Sequence, residues 1–193
     1  MSQLKLTADS GGGTVAIKAP ASTTGNAALD LTVPGTASAT LDTLGRAGNI
    51  LQVKQVTKTD AFSTSSTSLV DVTGLTVDIT PSSASNKILV TFSGYGATSA
   101  ANHGTHFHMY RGIGGASFTE ISRNYNQEPT IQSQTGSNLI NQILDSPNTT
   151  SVVTYKLQMK TDSSSNSGRI GAGGNAGTQD IPDSVITVME VAA

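Results

Sequence analysis

The stretch Lys87-Ile88-Leu89-Val90-Thr91-Phe92-Ser93-Gly94-Tyr95 decides the fold. Successive side chains in an extended strand point to opposite faces. Read that way, Ile88, Val90, Phe92 and Gly94 share one face, opposite Leu89, Thr91, Ser93 and Tyr95. Val152-Val153-Thr154-Tyr155-Lys156-Leu157-Gln158-Met159 repeats the pattern, with Val153, Tyr155, Leu157 and Met159 inside. Helical spacing of apolar residues does not persist for three turns anywhere, because Gly, Thr and Val interrupt each candidate. The chain is therefore all-β.

Outward from these two runs, further strands are predicted over 50–59, 68–72, 75–80, 105–111, 117–122, 138–144 and 184–191. Each is bounded by Gly, Pro, Asn or Ser clusters, including a turn at Thr73-Gly74 and a long Gly-rich loop over 163–180. Many short strands in a domain of this size form a β-sandwich, and the jelly roll is the commonest version. The expected fold is a jelly-roll-like β-sandwich over 49–193, preceded by an extended N-terminal arm over 1–48.

The arm has strand-like pieces at 14–19 and 28–33 and no aromatic residue before Phe62. So few large side chains cannot offset the entropy of ordering the segment. A neighbouring subunit or a larger assembly is expected to hold it.

Composition removes several function classes. Of 193 residues only 12% are charged, against about 25% in an average domain. Ser and Thr make up about a quarter, the net charge is −2, and there is no cysteine. Disulfides are excluded, and with three His a closed structural zinc site lacks ligands. Without a basic block the footprint of a nucleic-acid binder is missing. The opening Met1-Ser2-Gln3-Leu4-Lys5 has no apolar h-region, and no apolar run reaches membrane-span length, so neither secretion nor a membrane partner is expected.

All three histidines fall within Asn102-His103-Gly104-Thr105-His106-Phe107-His108. On a strand, His106 and His108 project from one face and could share a metal. The pair resembles the first half of the motif of the cupins, a jelly-roll enzyme family. The following Glu is absent, however: Gly112 and Ile113 stand there, and the nearest downstream carboxylate is Glu120. Imidazoles that line an interface, bond neighbours or face solvent are the plainer reading, with an ion at a symmetry axis the alternative. No cofactor is expected. Serines lack a nucleophile elbow, and nothing singles out two carboxylates as a glycosidase pair.

The last strand, Val185-Ile186-Thr187-Val188-Met189-Glu190-Val191, is apolar on both faces except at Thr187 and Glu190. Such a strand is either central in its sheet or covered by another subunit. Ile186, Val188 and Glu190 are the residues expected at an oligomer interface, and Lys87, Arg111, Arg123 or Arg169 is the expected partner of the Glu190 carboxylate.

Three stretches together resemble a family of phage virion proteins of the tail-fibre-like and capsid-decoration (cement) type. They are Gly12-Gly13-Thr14-Val15-Ala16-Ile17-Lys18-Ala19-Pro20, the segment from Leu29-Asp30-Leu31-Thr32-Val33-Pro34-Gly35 to Gly48-Asn49-Ile50-Leu51, and the domain with its Ser184–Val191 ending. The resemblance implies a virion component without enzymatic activity, usually a homotrimer. As a decoration protein it would bind the major capsid protein on the capsid exterior. Thr14, Val15, Ala16, Ile17, Lys18, Leu29, Leu31 and Val33 would then make the attachment. As a short tail fibre or receptor-binding protein it would attach by the arm and present the domain. The short arm favours decoration; a cupin-like or polysaccharide-degrading enzyme is the remaining alternative.

Overall fold

The computed structural model describes residues 3–7, 14–18, 46–100, 102–127, 136–172 and 182–193. It divides between Leu41 and Asp42 into two units. In the first unit, β1 (Gln3–Thr7) and β2 (Thr14–Lys18) form an antiparallel hairpin in which Leu4 opposes Ile17 and Leu6 opposes Val15. Expected attachment residues Thr14, Val15, Ala16, Ile17 and Lys18 are all in β2. Leu29, Leu31 and Val33 lie outside the described residues.

The second unit is a sandwich of two antiparallel sheets, with no helix among its described residues. Its strands are β3 (Ile50–Lys58), β4 (Phe62–Thr64), β5 (Val70–Ile79), β6 (Lys87–Thr98), β7 (Gly104–Ile113), β8 (Thr119–Gln127), β9 (Gly136–Asp145), β10 (Val153–Thr161), β11 (Gly168–Ile170) and β12 (Ser184–Val191). The long strands pair as nested hairpins: β3 with β12, β5 with β10, β6 with β9, and β7 with β8. Lateral pairing of β12 to β6 and of β10 to β7 completes the sheets β3-β12-β6-β9 and β5-β10-β7-β8. This nesting is the jelly-roll topology that the strand pattern predicts.

Two short strands extend the first sheet. β11 pairs with β6 at Gly96–Thr98, on the side where β12 takes residues 87–93. β11 and β12 therefore occupy one lane end to end, and β4 continues the lane of β3 beside β11. The loop expected over 163–180 is in fact interrupted by β11, which three residues and a Gly-rich surrounding conceal in the sequence.

A second departure concerns Gly74. The expected turn at Thr73-Gly74 does not form; β5 runs unbroken through it. Gly74 has φ +87° and faces the place where the pairing with β10 shifts register between Lys156 and Gln158. It lies in a bulge, where residues 72–75 of β5 stand against the single Leu157 of β10 and the left-handed step is taken without a Cβ penalty.

Alternation places the core as the sequence predicts. Ile88, Val90, Phe92, Leu139, Ile186 and Val188 of the first sheet meet Leu75, Val77, Phe107, Tyr155, Leu157 and Met159 of the second. Each such side chain contributes about 1.5–3 kcal/mol when taken fully out of water.

Among the described residues two carboxylates, Asp145 and Glu190, are also buried. Asp145 of β9 accepts hydrogen bonds from Arg111 Nη1 and Tyr155 Oη, both at 2.7 Å, tying one sheet to the other. Burial, and then the Asp145 carboxylate, push the Tyr155 phenol well above its ordinary range. Glu190, 1% exposed, is held by Gln52 Nε2, Asn86 Nδ2 and the Ser82 amide at 2.6 Å each, and by Ser82 Oγ at 2.7 Å. The expected cationic partner is thus replaced by neutral donors from the ends of neighbouring strands. Burial works to raise the Glu190 pKa, but the bonds from Asn86, Gln52 and Ser82 outweigh it and hold the carboxyl below its usual range.

Candidate functional site

The interior consumes Ile186, Val188 and Glu190, with exposures of 0%, 0% and 1%. Their expected place at an oligomer interface is therefore corrected. β12 is flanked by β3 and β6, and these three side chains point between the sheets of their own chain. Of the two readings of the last strand, a central position is the one found. Any contact outside the sandwich falls to the alternate residues and their neighbours.

On the outer face of the first sheet those neighbours align in register across all its lanes. Val53, Met189, Leu89 and Leu144 form one row; Gln55, Thr187, Thr91 and Gln142 form the next; Thr57, Val185, Ser93 and Ile140 form a third. None of these residues is charged. The first row is wholly apolar, with Val53 52% and Leu144 56% exposed, and Ile140 in the third row is 74% exposed. Beside Ile140 is a hollow of about 240 Å³ lined by Ser93, Gly94, Tyr95, Asn138, Leu139, Pro182 and the acidic Asp183. Lys87 stands at the rim, with its ammonium donating to Ser146 Oγ at 2.7 Å. Between Lys87 at one end and Asp183 at the other, the three rows of this face are neutral and apolar-ribbed.

The opposite outer face, on β5-β10-β7-β8, has another chemistry. Asp71 and Asp78 of β5, Lys156 and Lys160 of β10, and Glu120 and Arg123 of β8 all stand on it. With Asp162, which accepts from the Gly104 amide at the end of the face, these are four anions against three cations, and most are paired. Asp71 accepts from Lys156 Nζ at 2.8 Å and Gln158 Nε2 at 2.6 Å, and Glu120 accepts from Arg123 Nε at 2.8 Å. Burial tends to raise both the Asp71 and the Glu120 pKa. For Asp71 the bonds from Lys156 and Gln158 prevail, and for Glu120 those from His108 and Arg123, so each titrates below its ordinary value.

The strand reading of the histidines holds: His106 and His108 share this outer face, with ring centroids 6.3 Å apart. His103 lies before the strand and bonds Asp162 at 3.2 Å. His108 Nδ1 is 2.9 Å from Glu120 Oε2, while its Nε2 is buried without a hydrogen-bond partner. His106 lies against Tyr125, ring centroids 4.5 Å apart. Burial, together with the charge of Lys160 and the neighbouring His108, lowers the His106 pKa. Among the described residues no group of three or more His, Cys, Asp or Glu is placed to hold a metal. Three more rings join the histidines on this face: Tyr110 follows His108 by alternation along β7, Tyr125 comes beside His106 through the pairing of β7 with β8, and Phe118, before β8, lies against Gly112.

No protein-family model and no curated protein sequence matches the chain. Solved structures that resemble it include the infectious bursal disease virus Gt strain, at 17% identity and TM-score 0.44, covering 94% of this chain and 45% of that one. Another is the VP2 subviral particle of infectious bursal disease virus, at 14% identity and TM-score 0.41, covering 93% and 47%. The chain spans less than half the length of the solved chains it matches.

Proposed function

We propose that the chain is a structural component of a virus particle, a phage-type capsid decoration protein that packs as an oligomer against the major capsid protein. One observation carries the reading: three uncharged rows on the outer face of the first sheet, of which Val53, Met189, Leu89 and Leu144 form a wholly apolar one. Soluble monomers rarely leave a contiguous apolar patch open to water, and a patch without charges can be covered without desolvating an ion. The sequence resemblance supplies the kind of assembly. In this reading β2 is the attachment strand: in the two-stranded sheet of β1 and β2 its second edge can take a strand from a capsid subunit. A homotrimer is the proposed oligomer. No catalytic step is assigned, since Asp71, Glu120, Asp145 and Glu190 are each engaged in local bonds.

The test uses the full chain and capsids lacking it. Wild type should sediment as an oligomer and be taken up by capsids, whereas the Ile140→Asp, Leu144→Lys protein should remain folded and do neither. A wild type that sediments as a monomer and leaves capsids bare overturns the reading. So does a double variant that assembles normally.

The second reading, a short tail fibre or receptor-binding protein, is favoured by the opposite face, where Tyr125 and Phe118 are 45% and 39% exposed. Density for the chain at the tail of an intact virion would select it.

A further inference from the structure

Aromatic side chains are scarce in this chain, four Phe and four Tyr, and the core could have used all of them. Phe92, Phe107 and Tyr155 are buried there. Tyr110, Phe118 and Tyr125 instead stand on the outer face of the second sheet, with His106 and His108 between them. The rings follow one another along β7. Tyr125 and His106 are 4.5 Å apart, His106 and His108 are 6.3 Å apart, and His108 and Tyr110 are 6.5 Å apart. Phe118 continues the line over Gly112, where an added Cβ would meet its ring at 2.9 Å. From His106 to Gly112 the strand advances about 20 Å, so the rings form an extended strip.

We propose that this strip is a binding platform for a neutral oligosaccharide chain. Ring faces offer contact to the apolar side of a sugar, and the adjoining polar groups are fixed for its hydroxyls. Asp71 is held by Lys156 and Gln158, Glu120 by His108 and Arg123, and Lys156 Nζ sits 3.9 Å from the Phe118 ring centre. Groups already held in place lose little freedom when a ligand arrives. With Asp162 at the end of the strip, anions slightly outnumber cations and give no pull on a polyanion, so the ligand class is uncharged. His108 Nε2, a polar atom buried in the strip with no partner, marks a place where a hydrogen bond is owed. The strip lies on the sheet opposite the apolar rows, so assembly through those rows leaves it open in either proposed position on the particle.

The experiment is native electrophoresis of the full chain in gels containing dextran, laminarin, galactomannan or amylopectin, with dextran sulfate as the charged control. Wild type should be retarded by at least one neutral polymer. The Phe118→Ala, Tyr125→Ala protein should lose at least about tenfold in affinity, roughly 1.4 kcal/mol, while keeping its melting transition. Retardation by dextran sulfate alone, no retardation in any neutral gel, or equal retardation of the double variant overturns the proposal. If the double variant keeps its sugar affinity but fails to assemble, the strip is a protein contact and the proposal also falls. Capsid uptake is measured separately, so failure of the platform and failure of the structural role are distinguishable.

Discussion

Tyr155 of one sheet donates its phenolic hydrogen to Asp145 of the other, 2.7 Å away, beside the Arg111 guanidinium that bonds the second carboxylate oxygen. Removing the anion leaves a buried hydroxyl without an acceptor and a largely covered cation with only the Ser146 carbonyl, 3.5 Å away. Asp145→Ala should cost about 3–5 kcal/mol. Tyr155→Phe, which leaves the ion pair in place, should cost about 1.5–3 kcal/mol. Urea unfolding of the two proteins checks the order; a larger loss for Tyr155→Phe would contradict it.

Glu190 gives the fold an acid-sensitive point. Its carboxyl titrates below the ordinary 4.5, so the unfolded chain takes up the proton first as pH falls. The contribution is complete above about pH 4.5 and is lost as pH drops through the lower folded value. Glu190→Gln should cost about 1–3 kcal/mol at neutral pH and should flatten the fall of melting temperature below pH 4.5. An unchanged acid limb would show that other carboxyls set it.

Assembly through the neutral rows should respond to salt in an unusual direction. With no ion in the three rows there is little to screen, so raising sodium chloride from about 0.05 to about 0.5 M should leave the association constant nearly unchanged. Sulfate should strengthen it by favouring burial. Sedimentation equilibrium in the two salts tests this, and steep weakening in chloride would point to a charged contact.

Gly74→Ala should destabilise by about 1–2 kcal/mol, because φ +87° strains an L side chain. Since the residue lies in the middle of β5, amide exchange should quicken along β5 and β10 together. Quickening confined to 73–75 would indicate an independent turn.

Much of the jelly roll was legible because alternation survives in the long strands. Lys87–Thr98 and Val153–Thr161 each showed their buried face without help. What stayed hidden depended on pairing across the chain. Gly74 reads as a turn in isolation and becomes a bulge only opposite Lys156 and Gln158. Glu190 seemed to require a cation because a sequence displays charges more readily than amides. Gln52, Ser82 and Asn86 reach it from chain positions far apart. The histidine strand was visible; the strip it belongs to was not, because Tyr125 comes beside His106 only through the β7–β8 register.

The shared lane of β11 and β12 has a consequence for how this chain could vary. Gly171 donates its amide to the Tyr95 carbonyl, and Val185 opposes Ser93, so the chain leaves the lane at one rung and returns almost at the next. Whatever is strung between the two points shifts no strand. A peptide epitope or a fluorescent tag spliced there should be carried as cargo by an unaltered scaffold, once on every copy of the chain.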